Sequence, residues 1–264
     1  VIILDGKNIS EFGFEVEPGH EDPITPNMER KTLAIPGRPG LWDFGSEIRE
    51  KPFSFPIKIM DRFHDNMQQA YNELVAFLFD EYGQPREIKM VREYEPDKFY
   101  MVKVVQQMIP ERPAEDGTLN LPFVADDSYK YSNVFADEVT WGSEEITFEY
   151  HYLLGHESLG GSVNITSPQI LNLSVEGLAV QPIFEIEGSA NNLTISCGKY
   201  SFALPNFTNT SWSIDFEKYV VFKNGEDTMI EIRKFYLMPG DNQVRINGNN
   251  INIDMRIKFR DKYN

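Results

Sequence analysis

The 264-residue chain carries a single cysteine, Cys197. One thiol forms no intrachain disulfide and builds no Cys-rich zinc site, so its plain reading is a small buried apolar residue on a strand. Positive charge is also scarce, with 25 Lys and Arg against 41 Asp and Glu and a formal charge of -16. Nucleic-acid binding draws most of its affinity from cations that neutralise phosphates, so the composition argues against DNA or RNA binding as a primary activity. An acidic wall that lets DNA slide past without sticking stays compatible with this composition. No run approaches the roughly 20 apolar residues that span a bilayer, and the N-terminus lacks the basic-then-apolar pattern of a signal peptide. A soluble chain made in the cytoplasm is expected, and the sequons at Asn164, Asn172, Asn192, Asn206 and Asn209 then reflect strands and turns rich in Asn and Thr.

Catalytic motifs are missing as well. There is no Gly-x-Ser-x-Gly elbow, no Walker loop and no Gly-x-Gly-x-x-Gly after a strand. His151 and His156 in HYLLGHE come nearest to a metal motif, but a helical zinc site needs two histidines four apart with glutamate directly after the first. With His20 and His64 in loop-like contexts, all four histidines read as structural or surface residues. Asp126-Asp127 and Glu144-Glu145 are adjacent, and adjacent strand residues point to opposite faces, so neither pair forms a glycosidase device. The turn Asn224-Gly-Glu-Asp227 lacks the order of a calcium loop. No catalytic, metal-binding or cofactor-binding residue is assigned, and no enzyme is expected. Trp141, Tyr200, Trp212 and Tyr219 offer a second reading, an aromatic platform for sugar rings, against which stands their place in alternating apolar runs that read as core.

What is present is a β-leaning composition, 41% apolar and 13% aromatic, long enough for one large domain or two modest ones. Ile2–Leu4, the turn Asp5-Gly6 and then Phe12 and Phe14 read as two short strands. The stretch IPGRPGLWDFG, residues 35–45, concentrates turn signals around Arg38, Trp42 and Phe44. A phosphate cradle would need a helix N-terminus after it, whereas a strand follows. The stretch therefore reads as a loop entering a ring-forming sheet, with Trp42 and Phe44 as packing anchors, Arg38 as an inter-subunit or acidic-partner contact, and Arg38, Trp42 and Phe44 together as the candidate subunit-interface residues. Phe53, Phe55, Ile57 and Ile59 alternate with polar residues as a half-buried strand does, and Pro56 places that strand at an edge or beside a bulge. A helix is predicted over residues 66–82, capped by Asp65 and ended by Gly83 and Pro85. Ile88–Val91 and Tyr100–Val104 follow as strands joined by the acidic turn 93–97.

From Leu119 onward only short strands separated by turn signals are predicted, including Ile183–Ile186, Leu193–Ser196, Met229–Ile232 and a hairpin turning at Asn247-Gly248. A linker between Ala125 and Asp137 divides the chain into domains 1–132 and 133–264.

Several motifs in order carry a resemblance. Ile35, Pro36-Gly37-Arg38, Gly40 and Gly45 precede the alternating strand, the helix ends in Leu78 and Tyr82-Gly83, and Tyr100-Met-Val-Lys-Val104 follows. LPFVADDSYKYS (121–132), VEGLAVQPIFEIEG (175–188) and FYLMPGDNQVRING (235–248) continue the series. In this order the chain resembles the distal tail proteins of long, non-contractile-tailed bacteriophages of Gram-positive hosts. Ser128 departs from the proline common at the family's domain junction, and Asn133–Ser174 matches no part of the pattern. The resemblance implies a mainly β fold with one helix: an N-terminal β-sandwich or split-barrel-like ring domain carrying the packed helix, and a C-terminal galectin-like β-sandwich. It further implies a structural protein without catalytic residues or cofactor, a homohexameric ring at the virion tail tip with DNA passing through its lumen. Its implied partners are the tail tube protein, the tail-associated baseplate or tail-fibre protein and a receptor-binding protein. A carbohydrate-binding adhesion module, touching wall sugars through the C-terminal sandwich, is the alternative.

Overall fold

The computed structural model describes residues 2–112, 116–138 and 161–264; Trp141, Glu144-Glu145, His151 and His156 lie outside the described residues. The chain divides into two compact units, Val1–Lys130 and Tyr131–Tyr263. Mainly β structure with one α-helix, as the sequence predicts, is observed.

The first unit contains β1 (Ile2–Leu4), β2 (Lys7–Asn8), β3 (Glu15–Val16), β4 (Met28–Ala34), β5 (Leu41–Ile48), β6 (Lys51–Met60), α1 (His64–Leu78), β7 (Ile88–Arg92), β8 (Glu95–Val104) and β9 (Asp116–Ala125). Seven of these strands form an antiparallel sheet in the order β2-β1-β7-β8-β9-β6-β3, curled as a half-barrel, while β4 and β5 pair only with each other. Alternation in β6 sends Phe53, Phe55 and Ile57 to one side, where Leu121 and Phe123 of β9 join them and Met67, Leu74 and Leu78 of α1 cover them. Each such buried side chain stabilises the unit by roughly 1.5–3 kcal/mol. Gly117 makes room for the helix: a Cβ there would lie 2.4 Å from the Tyr71 hydroxyl and 2.9 Å from Ile59.

Several local expectations are corrected. Phe12 closes a 3-10 turn (Ile9–Phe12) rather than entering a strand, because Asn8 and Glu11 form a capping box that winds the backbone there. The helix starts at His64 without a side-chain N-cap, Asp65 lies inside its first turn, and it ends at Leu78. Phe79 is extended and bridges Pro85, Arg86 Nε donates to Phe77 O at 2.6 Å, and Gly83 serves a separate turn held by the Asp80 carboxylate. The acidic turn is shorter than predicted, since Glu95–Asp97 already belong to β8. The strand bearing Pro56 is interior. Its even-numbered residues direct their backbone groups away from β9, as Glu17 N to Pro56 O (2.8 Å) and Ser54 N to Glu21 O (3.1 Å) show. On that side only the two-residue β3 and the Glu21–Ser54 bridge pair with it, so the missing N–H of Pro56 falls in the gap between them.

After β10 (Lys130–Ser132), the second unit contains β11 (Val163–Ile165), β12 (Gln169–Val175), β13 (Ile183–Cys197), β14 (Tyr200–Ala203), β15 (Phe207–Asp215), β16 (Val220–Lys223), β17 (Glu226–Asp227) and β18 (Gly240–Lys258). The two long strands β13 and β18 pair from Ile183 opposite Lys258 to Cys197 opposite Val244 and serve both layers of a β-sandwich. One half carries β12 and β14, the other β11 and β15–β17. Inward residues run Phe184, Ile186, Ala190 and then Leu193, Ile195 in β13, and Val244, Ile246 and then Ile251, Ile253, Met255 in β18. Both strands change phase at one corner, where Asn192 and Asn250 adopt left-handed backbone. The two strands predicted within 183–196 are thus one bent strand, and Asn247-Gly248 is no turn. Gly248 instead admits the bulged partner, since a Cβ there would sit 3.2 Å from Asn191 O and 3.3 Å from Leu193 Cα. Met229–Ile232 is not a strand, and Met229 is fully exposed. Phe184 meets Phe202, Phe216 and Phe235 with centroids 5.1 to 5.9 Å away, Trp212 is buried, and Cys197 is buried as expected.

One half-buried carboxylate ties the last segment to this unit. Asp261 Oδ1 accepts from Glu176 N at 2.8 Å, while Asp261 N donates to Ser132 Oγ at 3.0 Å and Ser132 N to Asp261 O at 2.9 Å. Burial pushes its pKa up to about 6 from the ordinary 3.8, against the Glu176 N–H and with help from the Glu176 charge. The folded chain therefore holds this proton more tightly than the unfolded chain, so the group costs stability above pH 6 and the cost disappears as pH falls toward 3.8. Asp261→Asn keeps the acceptor for Glu176 and is expected to stabilise the unit by about 1–3 kcal/mol near neutral pH and by little at about pH 4. Urea melts of both chains at the two pH values check this, and an equal effect at both would remove the assignment.

Candidate functional site

Charge and turn chemistry make the β4–β5 ribbon. Arg30 donates from Nε (3.2 Å) and Nη2 (2.9 Å) to Asp43 Oδ2, Lys31 bonds Glu47, and Arg49 Nε donates to Glu29 Oε2 at 2.9 Å. These cross-strand pairs are solvated, individually weak and screened by salt, and they fix register more than stability. The Arg30 hydrogen bond, seconded by Gly45 N–H, lowers the Asp43 pKa; Lys31 lowers that of Glu47, and Glu29 raises that of Arg49. At the tip, Arg38 N donates to Ile35 O at 3.1 Å, with Pro36 and Gly37 (φ 83) in the central positions, the arrangement of a type II turn. The Pro-Gly density of residues 35–40 is thus the chemistry of a hairpin tip.

Arg38, Trp42 and Phe44 come together on this ribbon. The Arg38 guanidinium stands 4.4 Å from the Trp42 ring centroid, Trp42 pairs with Leu33, and strand alternation puts Phe44 on their face. Trp42 is 47% and Phe44 64% exposed, and every residue of both strands is exposed. The ribbon forms its own two-stranded sheet rather than a loop entering the main one, so its apolar face has no covering layer among the described residues.

The base of the ribbon is held firmly by residues that the sequence reading missed. Arg49 N donates to Asn27 O at 2.8 Å, and Ser128 Oγ to Arg49 O. Asp22, five residues before Asn27, accepts from Tyr94 OH at 2.8 Å and lies 2.8 Å from Arg92 Nη2. Buried Arg92 lies against the Phe55 ring (4.5 Å), and buried Lys51 donates to Tyr100 OH at 2.8 Å. Burial lowers the Lys51 pKa and raises that of Tyr100. Lys51 was legible in principle, since it shares the parity of Phe53 and Phe55 and so must face inward. Trp212, being buried, is removed from the sugar platform; Tyr219 is 46% exposed, and Trp141 lies outside the described residues. Among the described residues no three His, Cys, Asp or Glu side chains group as metal ligands, and no helix is long and apolar enough to cross a membrane.

Residues 7–125, from β2 to the end of β9, match the family described as the phage tail protein RIFT-related domain. These residues are thus similar to a phage tail domain. Over the whole chain, the fold is that of the SPP1 Dit (gp 19.1) protein, described as a paradigm of the hub adsorption apparatus in Gram-positive infecting phages. Identity is 12%, the TM-score 0.71, and the alignment covers 100% of this chain and 98% of that one. Chains of the phage p2 baseplate in its activated conformation, with Ca or Sr, align at 8% identity and TM-score 0.45, covering 95% or 96% of this chain and 92% of theirs. No curated protein sequence matches the chain. The resemblance to distal tail proteins thus meets a tail-domain match over residues 7–125 and a shared fold over the whole chain. In the first unit, the exposed ribbon is the feature that no packing among the described residues explains.

Proposed function

We propose that the chain is a structural distal tail protein whose tail domains form a homohexameric ring at the tail tip. The ring joins the tail tube to the tail-associated baseplate protein, and the C-terminal sandwiches act as an attachment hub for receptor-binding components. The reading rests on one observation above all: an aromatic-faced ribbon, wholly exposed on one copy, stands on a rigid base. A two-stranded hairpin is marginal in water by itself, and an exposed apolar strip signals a protein partner. A cyclic ring supplies that partner by letting the ribbon of each copy meet a different surface of the next. Arg38, Trp42 and Phe44 are the proposed contacts, and the excess of acid suits a lumen that passes DNA without holding it. The non-enzymatic reading agrees with the structural nature of the relatives.

Antibody labelling of virions, imaged by electron microscopy, tests the placement. Label confined to the tail tip, in a ring with sixfold symmetry, is the expected result. Label along the tube or on the capsid would sink the proposal.

A further inference from the structure

Residues 228–236, TMIEIRKFY, carry the pattern of a strand without the pairing of one. Ile230 and Ile232 pack against the sandwich core, while Met229, Glu231 and Arg233 between and beside them face solvent. The backbone has neither turn nor bend there, so it runs extended. Yet among the described residues no N–H or C=O of residues 229–236 is hydrogen-bonded within the chain. Backbone groups of a folded chain are nearly all paired with protein or solvent, so this row of donors and acceptors is left to solvent and open to another strand. The hairpin before it sets its direction. β17 ends its sheet, pairs antiparallel with β16, and is continued by Thr228 N donating to Val221 O at 2.8 Å. A strand residue sends its N–H and C=O to one side and the next residue sends them to the other. The even-numbered amides therefore point toward β16, and those of Met229, Glu231 and Arg233 point along the free side.

The outward side chains specify what fits. Phe222 pairs with Asp227, so Met229, two residues further on, shares their outer face; Phe222 is 40% exposed and Met229 wholly so. Glu231 and Arg233 follow on that face, each about four-fifths exposed, and among the described residues they pair with each other at 3.0 Å. Opposite charges directly across an antiparallel pair stabilise it, and like charges destabilise it. We propose that residues 229–233 accept an antiparallel strand of a second protein. That strand sets an acid across from Arg233, a base across from Glu231 and an apolar side chain beside Met229, while its main chain bonds the free-side amides. Acceptance of the strand stands on the geometry of this unit; its assignment to a receptor-binding component rests on the hub reading of the C-terminal sandwich.

Titrating a labelled peptide, Thr-Glu-Val-Lys-Val-Leu-Thr, with the full chain and reading fluorescence anisotropy tests it. In the antiparallel register its Glu meets Arg233, its Lys meets Glu231 and its Leu meets Met229. Saturable binding is expected, with slowed hydrogen exchange at the amides of Met229, Glu231 and Arg233. Exchanging the peptide's Glu and Lys turns both attractions into repulsions and should weaken binding about fivefold or more. Glu231→Pro deletes a free-side N–H that the chain itself leaves unbonded, so it should melt close to the unaltered chain yet weaken binding about tenfold or more. Glu231→Ala keeps that amide and should cost less. Three results would overturn the proposal: no saturation at about 1 mM chain, the charge-exchanged peptide binding as well, or Glu231→Pro binding unchanged. A chain that binds the peptide but is absent from tail tips keeps the strand site and loses the hub reading; a tail-tip chain that fails to bind it does the reverse.

Discussion

A chain carrying Trp42→Asp and Phe44→Asp is expected to stay monomeric at concentrations where the unaltered chain forms rings. Both side chains are exposed on one copy, so their loss removes no core packing, and the Tm of the double variant should stay within about 2 °C of the unaltered chain. At an interface the same residues weigh far more. Aromatic anchors near the centre of a contact commonly cost about 2–4 kcal/mol each on truncation, and a buried unpaired carboxylate adds to that. A loss of about 4 kcal/mol lowers each contact's association constant roughly a thousandfold, and a closed ring repeats the loss at every contact. Arg38→Ala should have the smaller effect, because it removes a cation that stacks on Trp42 but leaves the apolar face intact. Native mass spectrometry and sedimentation read the outcome. Rings formed by the double variant would remove this face from the assembly and leave the ribbon without a role.

How much of this was legible in the sequence depends on whether a residue's environment is set locally. β6 could be read because one face is buried, and burial writes alternation into Phe53, Phe55 and Ile57. β4 could not: MERKTLA is exposed on both faces, so nothing selects a period of two, and without its partner strand the Pro-Gly tip looked like a loop entering the main sheet. The middle of the helix was legible from its apolar stripe. Its ends were not: Phe79, extended and bridged to Pro85, and Arg86, bonded to Phe77 O, stop it about a turn before the Gly83 that local turn chemistry marks. Of the candidate site, the three residues Arg38, Trp42 and Phe44 were singled out, but the separate two-stranded ribbon that carries them was not. Nor were the buried Lys51 and Arg92 singled out, since a charge in an apolar run is ordinarily read as solvated. Asn247-Gly248 shows the same limit from the other side. The dipeptide is a strong local turn signal, yet the close passage of Asn191 and Leu193, over 50 residues earlier in the chain, gives the glycine a different task.

Gly188→Ala is expected to destabilise the C-terminal unit by roughly 3–5 kcal/mol, more than most exposed-strand substitutions in the chain. Gly188 lies in β13 opposite Ile253, with φ 133, a backbone region that L side chains rarely enter. A Cβ there would lie 2.3 Å from Asn252 O and 2.9 Å from Ile253 Cα, and both contacts are backbone of β18. No rotamer change relieves such a clash, so the two long strands must separate just where both layers of the sandwich depend on them. The core that suffers includes Phe184 and Ile186 on one side of the corner and Leu193 and Ile195 on the other. Gly198→Ala is the control: its φ of 55 also penalises a side chain, but nothing lies within 4 Å, so the expected cost is about 1 kcal/mol. Thermal or urea melts of the two variants separate backbone strain, which both share, from the steric clash, which only Gly188→Ala carries. Equal losses in the two would mean that β18 does not approach β13 closely at Gly188, and the account of the sandwich corner would fail with it.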